Sequence, residues 1–260
     1  MGQLDGKVAI VTGAARGTGA MTARRMVAEG ATVILGDLRH EEGEKVAAGL
    51  GASAHYAPLD VTEEAAWASV VEQTLADHGR VDVLVNNAAI LHMGTVENGS
   101  AETFRKVLDV NTVGPFLGMQ AVLPPMKAQG SGSIVMVNSV DGLIGMNGVP
   151  IYAASKWGLR GLAKCAGLEL GRSGIRVNSV CPAGGNPEMF GAWFSKMEPF
   201  LDETAVYTSN RGIPGEAPLE RIADAVIFFA SDASAHCTCV DLPVDGGATA
   251  GNFVPGFNTF

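Results

Sequence analysis

A tyrosine and a lysine stand four residues apart in "IYAASKWG", at Tyr152 and Lys156. On a helix that spacing puts both side chains on one face. Thirteen residues before the tyrosine, Asn138 and Ser139 close an apolar, strand-like run, "GSIVMVNS". A phenol with its ordinary pKa of about 10 is a poor base at neutral pH. An ammonium one turn away stabilises the phenolate and brings that value down. The pair is either a solvated helical pair or a general acid–base device, and these residues alone leave the choice open.

A second stretch bears on cofactor chemistry. "VTGAARGTGA" follows a strand-like run and opens a helical one, with Gly13, Gly17 and Gly19 spaced as G-x-x-x-G-x-G around Arg16 and Thr18. Glycines there permit a tight turn and bring the backbone close to a pyrophosphate at a helix N-terminus. A tight strand-to-helix turn alone needs the same glycines, so the context matters. Asp37 ends the next strand-like run, eighteen residues beyond Gly19. A carboxylate there accepts hydrogen bonds from ribose hydroxyls and repels a 2′-phosphate, which favours NAD over NADP. Arg16 and Arg39 are nearby cations, expected as solvated surface residues. Asp60 and Val61 would bracket an adenine. The small residues of "NNAA", with Asn87, would sit against a nicotinamide ribose. Each of these is by itself a strand-end turn, but all fall where a parallel sheet places its ligands.

The elements that must carry these residues are legible. Strands are expected at 7–12, 32–37, 54–60, 81–87, 132–139, 176–182 and 240–246, with helices at 18–29, 63–77, 101–128, 152–170 and 218–231. Thr62 reads as a helix cap with Glu63 and Glu64 in the first turn. Continuous apolar strands alternating with helices imply a parallel sheet covered on both faces. No linker or repeat divides residues 1–260, so one α/β domain is expected. Its main irregular stretch, 183–217, is long enough to be a functional flap.

Composition narrows the partners. The formal charge of −9 leaves no electrostatic footprint for nucleic acid or an anionic membrane. The four cysteines show no metal-ligand spacing and read as buried free thiols, and no metal is expected. The N-terminal apolar run is too short for a span and has no cleavage pattern. Gly6 stands where a myristoylation signal needs serine or threonine, and the sequon at Asn98 has no secretory route to use it. A cytoplasmic protein is expected.

Taken together the residues resemble the short-chain dehydrogenase/reductase family over essentially the whole chain. The matches are T-G-x-x-x-G-x-G at Thr12–Gly19, "NNAA", "DVN" ending in Asn111, Ser139, Y-x-x-x-K at Tyr152–Lys156, "RVNSVCP" and "VDGG". The resemblance implies a single Rossmann-type doubly wound sheet of about seven strands, hydride transfer between NAD and a secondary alcohol or ketone, and a homotetramer. It implies that Tyr152 moves the hydroxyl proton and that Lys156 tunes it and holds the nicotinamide ribose. Ser139 would bind the substrate oxygen, and Asn111 would anchor a water that relays protons. Within the family, "FRKVLDVNTVGPFLGMQAVLPPMK" and "YAASKWGLRGLAK" are similar to bacterial hydroxysteroid dehydrogenases of the 3α/20β and 17β kind.

The chain also departs from the family pattern. After Pro182, Ala183 replaces a glycine and Pro187 falls near the threonine that caps the cofactor's carboxamide. Proline offers no donor, so Gly185 or Asn186 is left for that contact. Ala89 and Cys239 stand where glycines are usual. The 183–217 stretch carries Met189, Phe190, Trp193, Phe194, Met197, Phe200 and Tyr207. With Leu91, His92, Met93, Leu143, Ile144 and Met146 these would line a pocket for a bulky, steroid-like alcohol; packing onto the core or onto a subunit would use them as well. A terpenoid or aromatic alcohol, or a non-catalytic NAD-binding regulator, are the alternatives.

Overall fold

Successive residues of a strand point to opposite faces of its sheet. In β1 (Val8–Thr12), Ala9 and Val11 enter one apolar cluster and Ile10 the other; in β2 (Thr32–Asp37), Val33 and Leu35 oppose Ile34 in the same way. The computed structural model describes residues 2–184 and 186–254, and continues with β3 (Ala54–Pro58), β4 (Val83–Asn86), β5 (Gly132–Val137), β6 (Ile175–Pro182) and β7 (Asp241–Val244). All neighbours pair in parallel, in the order β3-β2-β1-β4-β5-β6-β7. This is the doubly wound Rossmann-type sheet that the alternating pattern implies.

The two apolar faces need two helical layers. Helices α1 (Gly17–Ala28), α2 (His40–Leu50) and, late in the chain, α10 (Leu219–Ala230) cover one, through Ala23, Met26, Ala47, Ile222, Val226 and Phe229. Helices α3 (Glu64–His78), α5 (Gly114–Gln129) and α6 (Pro150–Leu170) cover the other, through Trp67, Val71, Leu117, Val122, Leu159 and Leu170. Fully burying a side chain such as Phe229 contributes about 1.5–3 kcal/mol, so the layers are held by many modest terms. The strand order reverses between β1 and β4, which opens a crevice at the carboxyl ends of the strands.

Several expectations need correction. The helix expected over 101–128 is interrupted: α4 (Ala101–Leu108) leads into a π turn, Asp109–Val113, before α5 begins. The Gly114 N–H reaches back to the Asp109 carbonyl, five residues away, so one extra residue is wound into the turn that holds Asn111. Thr62 does not cap α3, whose N-cap is Glu63 without a side-chain bond; its hydroxyl donates to Asp60 at 2.7 Å instead. The 183–217 stretch is mostly helical turns: α7 (Pro187–Phe190), α8 (Phe194–Met197) and α9 (Leu201–Ser209), joined by 3-10 turns at Gly191–Trp193 and Glu198–Phe200.

The cysteines are all free, but Cys165 is exposed and only Cys181 is fully buried. Cys239 has φ +60°, the left-handed conformation that explains why glycine is usual at its position. Among the described residues no helix is long and apolar enough to cross a membrane.

Candidate active site

Six strands deliver their ends to one cavity of about 890 Å³, lined in turn by Gly13, Asp37, Asp60, Asn87, Ser139 and Pro182. Its cofactor-side wall starts at the glycine turn. Gly13 and Gly17 have φ of +64° and +53°, and a Cβ on Gly19 would run into the Gly13 carbonyl. Only glycines allow this turn to close so tightly. Asn87 fastens it from β4, donating through Nδ2 to the carbonyls of Thr12 (2.8 Å) and Gly13 (3.1 Å). The Thr12 hydroxyl in turn accepts the N–H groups of Asn87 and Ala88, both at 3.0 Å.

Asp37 sits at the cavity mouth with a fixed carboxylate. Oδ2 accepts the Ala15 N–H and Oδ1 the Arg39 N–H, each at 2.9 Å. Asp60 and Val61 line the next part of the wall, and Asp60 is held by Thr62. Thr18 and Arg16 also line the cavity. Neither Arg16 nor Arg39 is simply solvated, contrary to the expectation from sequence: Arg16 pairs with Glu188 and Arg39 with Glu42, each at 3.1 Å and roughly half-exposed. A glycine cradle beneath a helix N-terminus, with a carboxylate at the far end, fits the pyrophosphate and ribose of a nicotinamide dinucleotide. Gly185 and the Tyr207 side chain lie outside the described residues; Asn186 reaches the cavity and lies against Gly17.

The chemical end of the cavity is built where α6 packs on β5. Tyr152 and Lys156 are both buried, 5 % and 2 % exposed, which removes the solvated-pair reading. Lys156 Nζ donates to the Val137 carbonyl at 2.9 Å and lies 5.6 Å from the Tyr152 ring centre. Ser139 follows two residues beyond Val137, at the cap of a 3-10 turn, Val140–Gly142. Its Oγ accepts the Asp141 N–H and donates to Asp141 Oδ2, both at 3.1 Å. Asn111 is not in the cavity wall. Its amide is committed to Ile90, accepting N–H at 2.8 Å and donating to the carbonyl at 2.9 Å, and to Ser155 Oγ at 3.0 Å.

Without a bound nicotinamide, burial governs the phenol. Desolvation pushes the Tyr152 phenol above its ordinary value, and the facing Asp141 carboxylate pushes the same way; hydrogen bonding with Ser139 pulls it back. Lys156 is itself lowered to about 8, chiefly by burial. Negative neighbours oppose that shift, but the Cys181 thiol, pushed up to about 12, is uncharged at neutral pH, so Asp141 is the opposing charge that counts there. The protein alone therefore holds a protonated phenol beside a weakened ammonium. Asp141 was not among the residues singled out from sequence, and neither were Arg211 and Glu216, which also line the cavity.

Beyond these groups the cavity wall is rich in apolar residues, with Glu203, Thr204 and Thr208 among its polar members. Leu91, Met93, Met146, Met189, Phe190, Met197 and Phe200 reach the cavity, whereas Ile144 and Phe194 face solvent. His92 packs edge-on against Trp193, ring centres 5.3 Å apart, and Trp193 Nε1 donates to the Leu91 carbonyl at 3.1 Å. Among the described residues no cluster of His, Cys, Asp or Glu is placed to hold a metal ion.

Comparison with known proteins agrees with this geometry. Residues 7–198 match the family model described as short chain dehydrogenase. The chain is 44 % identical over 250 residues to a 3-alpha-(or 20-beta)-hydroxysteroid dehydrogenase of Mycobacterium tuberculosis, covering 96 % of this chain and 92 % of the relative. It is 39 % identical to the trans-4-hydroxycyclohexanecarboxylate dehydrogenase of Sinomonas cyclohexanicum, covering 95 % and 94 %. A gluconate 5-dehydrogenase from Burkholderia cenocepacia, solved with NADP and tartrate, superposes with a TM-score of 0.88 at 30 % identity, covering 95 % of this chain and 97 % of that one.

The buried ammonium has a measurable signature. Lys156 has a folded pKa of about 8 against 10.5 for the free side chain, so between these values the unfolded chain binds more protons. Stability then rises with pH in that window, and below it the burial penalty is at its full size. Urea unfolding of the cofactor-free protein between pH 8 and 10 is expected to show wild type gaining roughly 1–3 kcal/mol relative to Lys156→Met. Parallel pH dependences of the two proteins would contradict the burial of this charge.

Proposed function

We propose, for a chain that belongs to the short-chain dehydrogenase family and is thus an oxidoreductase of hydroxyl and keto groups, the finer reading that it uses NAD to interconvert a bulky alicyclic, steroid-like secondary alcohol and its ketone. The observation that carries this reading is the single cavity in which Asp37 stands at one end and Tyr152, Ser139 and an apolar wall stand at the other. The names of the hydroxysteroid and hydroxycyclohexanecarboxylate dehydrogenases support a ring alcohol. Residues 183–217 form the substrate-facing segment of one catalytic domain in this reading.

When bound in the proposed mechanism, a nicotinamide would supply or accept the hydride, and its oxidised form would add a positive charge to the site. Gly13, Arg16, Gly17, Thr18 and Gly19 hold the dinucleotide's pyrophosphate, and Asp37 its adenosine ribose. Asp60 and Val61 flank the adenine; Asn87, Pro182 and Gly185 or Asn186 border the nicotinamide half. Tyr152 Oη donates its proton to the forming alkoxide in reduction and takes it back in oxidation. The raised pKa keeps the proton on the phenol at neutral pH but makes it a weaker acid, so both tasks draw on the Lys156 charge. Ser139 hydrogen-bonds the reacting oxygen. With its amide engaged, Asn111 holds Ile90 at the cavity wall, and the water it is proposed to anchor for the proton relay would be held by its main chain rather than its side chain.

Asp37 sets the preference for NAD because its fixed carboxylate repels a 2′-phosphate. The chain that superposes with NADP bound makes this preference a matter for measurement. Oligomerisation to a homotetramer is proposed from the exposed Phe104, Val113, Phe116, Trp157 and Leu168 along the α4–α5 and α6 segments.

Initial rates with both cofactors on cyclohexanol, a 3-hydroxysteroid, a terpenoid alcohol and 1-phenylethanol are expected to show NAD preferred and the bulky ring alcohols fastest. Asp37→Ala should lose discrimination against NADP; equal use of both cofactors by wild type would overturn the role of Asp37. Tyr152→Phe should lower turnover about 100- to 10,000-fold while leaving the fold and much of the dinucleotide affinity intact. A folded variant with wild-type turnover would remove this tyrosine from the reaction. Sedimentation at micromolar concentration is expected to give a tetramer, and a monomer would refute the assembly.

A further inference from the structure

Ser139 has one proton to give and two neighbours that can take it: it donates to Asp141 at 3.1 Å, and it also lies within hydrogen-bonding reach of the Tyr152 oxygen. The Asp141 side chain is buried, 8 % exposed, in the wall of the reaction cavity. It takes the Ser139 hydroxyl at 3.1 Å while its own N–H occupies a lone pair of the same oxygen, also at 3.1 Å. An ionised carboxylate only accepts; a protonated one also donates. While Asp141 is ionised, a ketone oxygen entering the site competes with a buried anion for the serine's proton. Once Asp141 is protonated, it can donate to Ser139 Oγ and leave the serine proton for the substrate.

We propose that Asp141 is a positioning residue that decides whether Ser139 is available as a hydrogen-bond donor to the substrate oxygen, so that ketone reduction is fastest while Asp141 is protonated. The proposal rests on the reading of Ser139 as the group that binds the reacting oxygen. Two further observations agree with it. Burial raises the Asp141 pKa above the ordinary carboxylate range, with Ser139 and the Lys156 charge pulling it down. The same carboxylate also raises the Tyr152 phenol.

The charged and titratable groups around Asp141 are few. Tyr152 and Lys156 face it from α6, and Lys156 is the cation acting on it. Arg160, one turn further, reaches the neighbouring Gly142 carbonyl at 3.5 Å but is held by Asp241 at 2.8 Å. Cys181 on β6 is uncharged at neutral pH. Arg211 and Glu216 also line the cavity. None of these replaces the serine as partner of Oδ2 in the hydrogen bonds described.

The test is the pH profile of kcat/KM for reduction of cyclohexanone with saturating NADH, in wild type, Asp141→Asn, Asp141→Ala, Ser139→Ala and the double variant Ser139→Ala/Asp141→Asn. Wild type is expected to decline at least tenfold as pH rises through the ionisation of Asp141, above the usual carboxylate value of about 4. Asp141→Asn and Asp141→Ala should lack that limb, and Ser139→Ala should lack it too, so that in the Ser139→Ala background the Asp141 substitution has no limb left to remove, whatever it changes through Tyr152. An Asp141→Asn variant that keeps the wild-type limb overturns the proposal. Undiminished turnover in Ser139→Ala would instead overturn the reading on which it rests. A cofactor-free measurement checks the geometry alone. The ultraviolet titration of the Tyr152 phenolate, identified by its loss in Tyr152→Phe, should move to lower pH in Asp141→Asn. An unmoved titration would mean that Asp141 does not face the phenol, and would refute the arrangement.

Discussion

A lysine ammonium hydrogen-bonded to one main-chain carbonyl inside the protein is the constraint around which the site is arranged. Lys156 Nζ is fastened to Val137, the last residue of β5, and so ties helix α6 to the strand end that continues into Ser139. Isolated buried cations are expensive, and the structure offsets the cost with that carbonyl and with the Asp141 carboxylate nearby. Tyr152, one turn back on α6, is carried into the same wall by the same contact. Phenol, ammonium, hydroxyl and carboxylate thus form a single electrostatic unit, in which altering any charge shifts the proton affinity of the others.

The other half of the cavity is arranged by shape more than by charge. The glycine turn closes against Asn87, and Asn87 is set by its position just beyond β4, the strand at which the sheet order reverses. Asp37 is immobilised by two backbone N–H groups, so its carboxylate is presented without the entropy loss of ordering a free side chain. Arg16 reaches from the glycine turn to Glu188 on α7, so that short helix is connected to the glycine turn by a half-exposed ion pair. Such pairs contribute little to stability. This one joins two segments of the cavity wall.

Much of this was legible because parallel strands are buried on both faces and read as apolar runs, and because glycines with positive φ have few substitutes. The seven strands fall within a few residues of their expected places. The departures share a cause, which is that tertiary packing settles what local pattern leaves open. "HEEGEKVAAGL" carries two glycines and a weak apolar stripe, and becomes α2 because Ala47 has a core to enter. The prolines and glycines of 183–217 suggest irregular chain, yet short helical turns accommodate Pro187 and Pro199 within their first two positions. Asp141 in "SVDG" looks like a turn aspartate. Only the packing of α6 shows that it is buried beside the tyrosine and lysine.

The π turn at Asp109–Val113 also fixes the phase of the helix that follows. One residue of an α-helix corresponds to about 100° of rotation. The additional residue wound in before Gly114 sets the azimuth at which Leu117, Val122 and Met126 of α5 meet the sheet. Shortening the chain by one residue here would turn that apolar stripe about a quarter of the way round the helix axis, and would swing Asn111 off Ile90 as it did so. The stretch is therefore a timing element of the chain: its length, counted in whole residues, is as constrained as any side chain in the cavity.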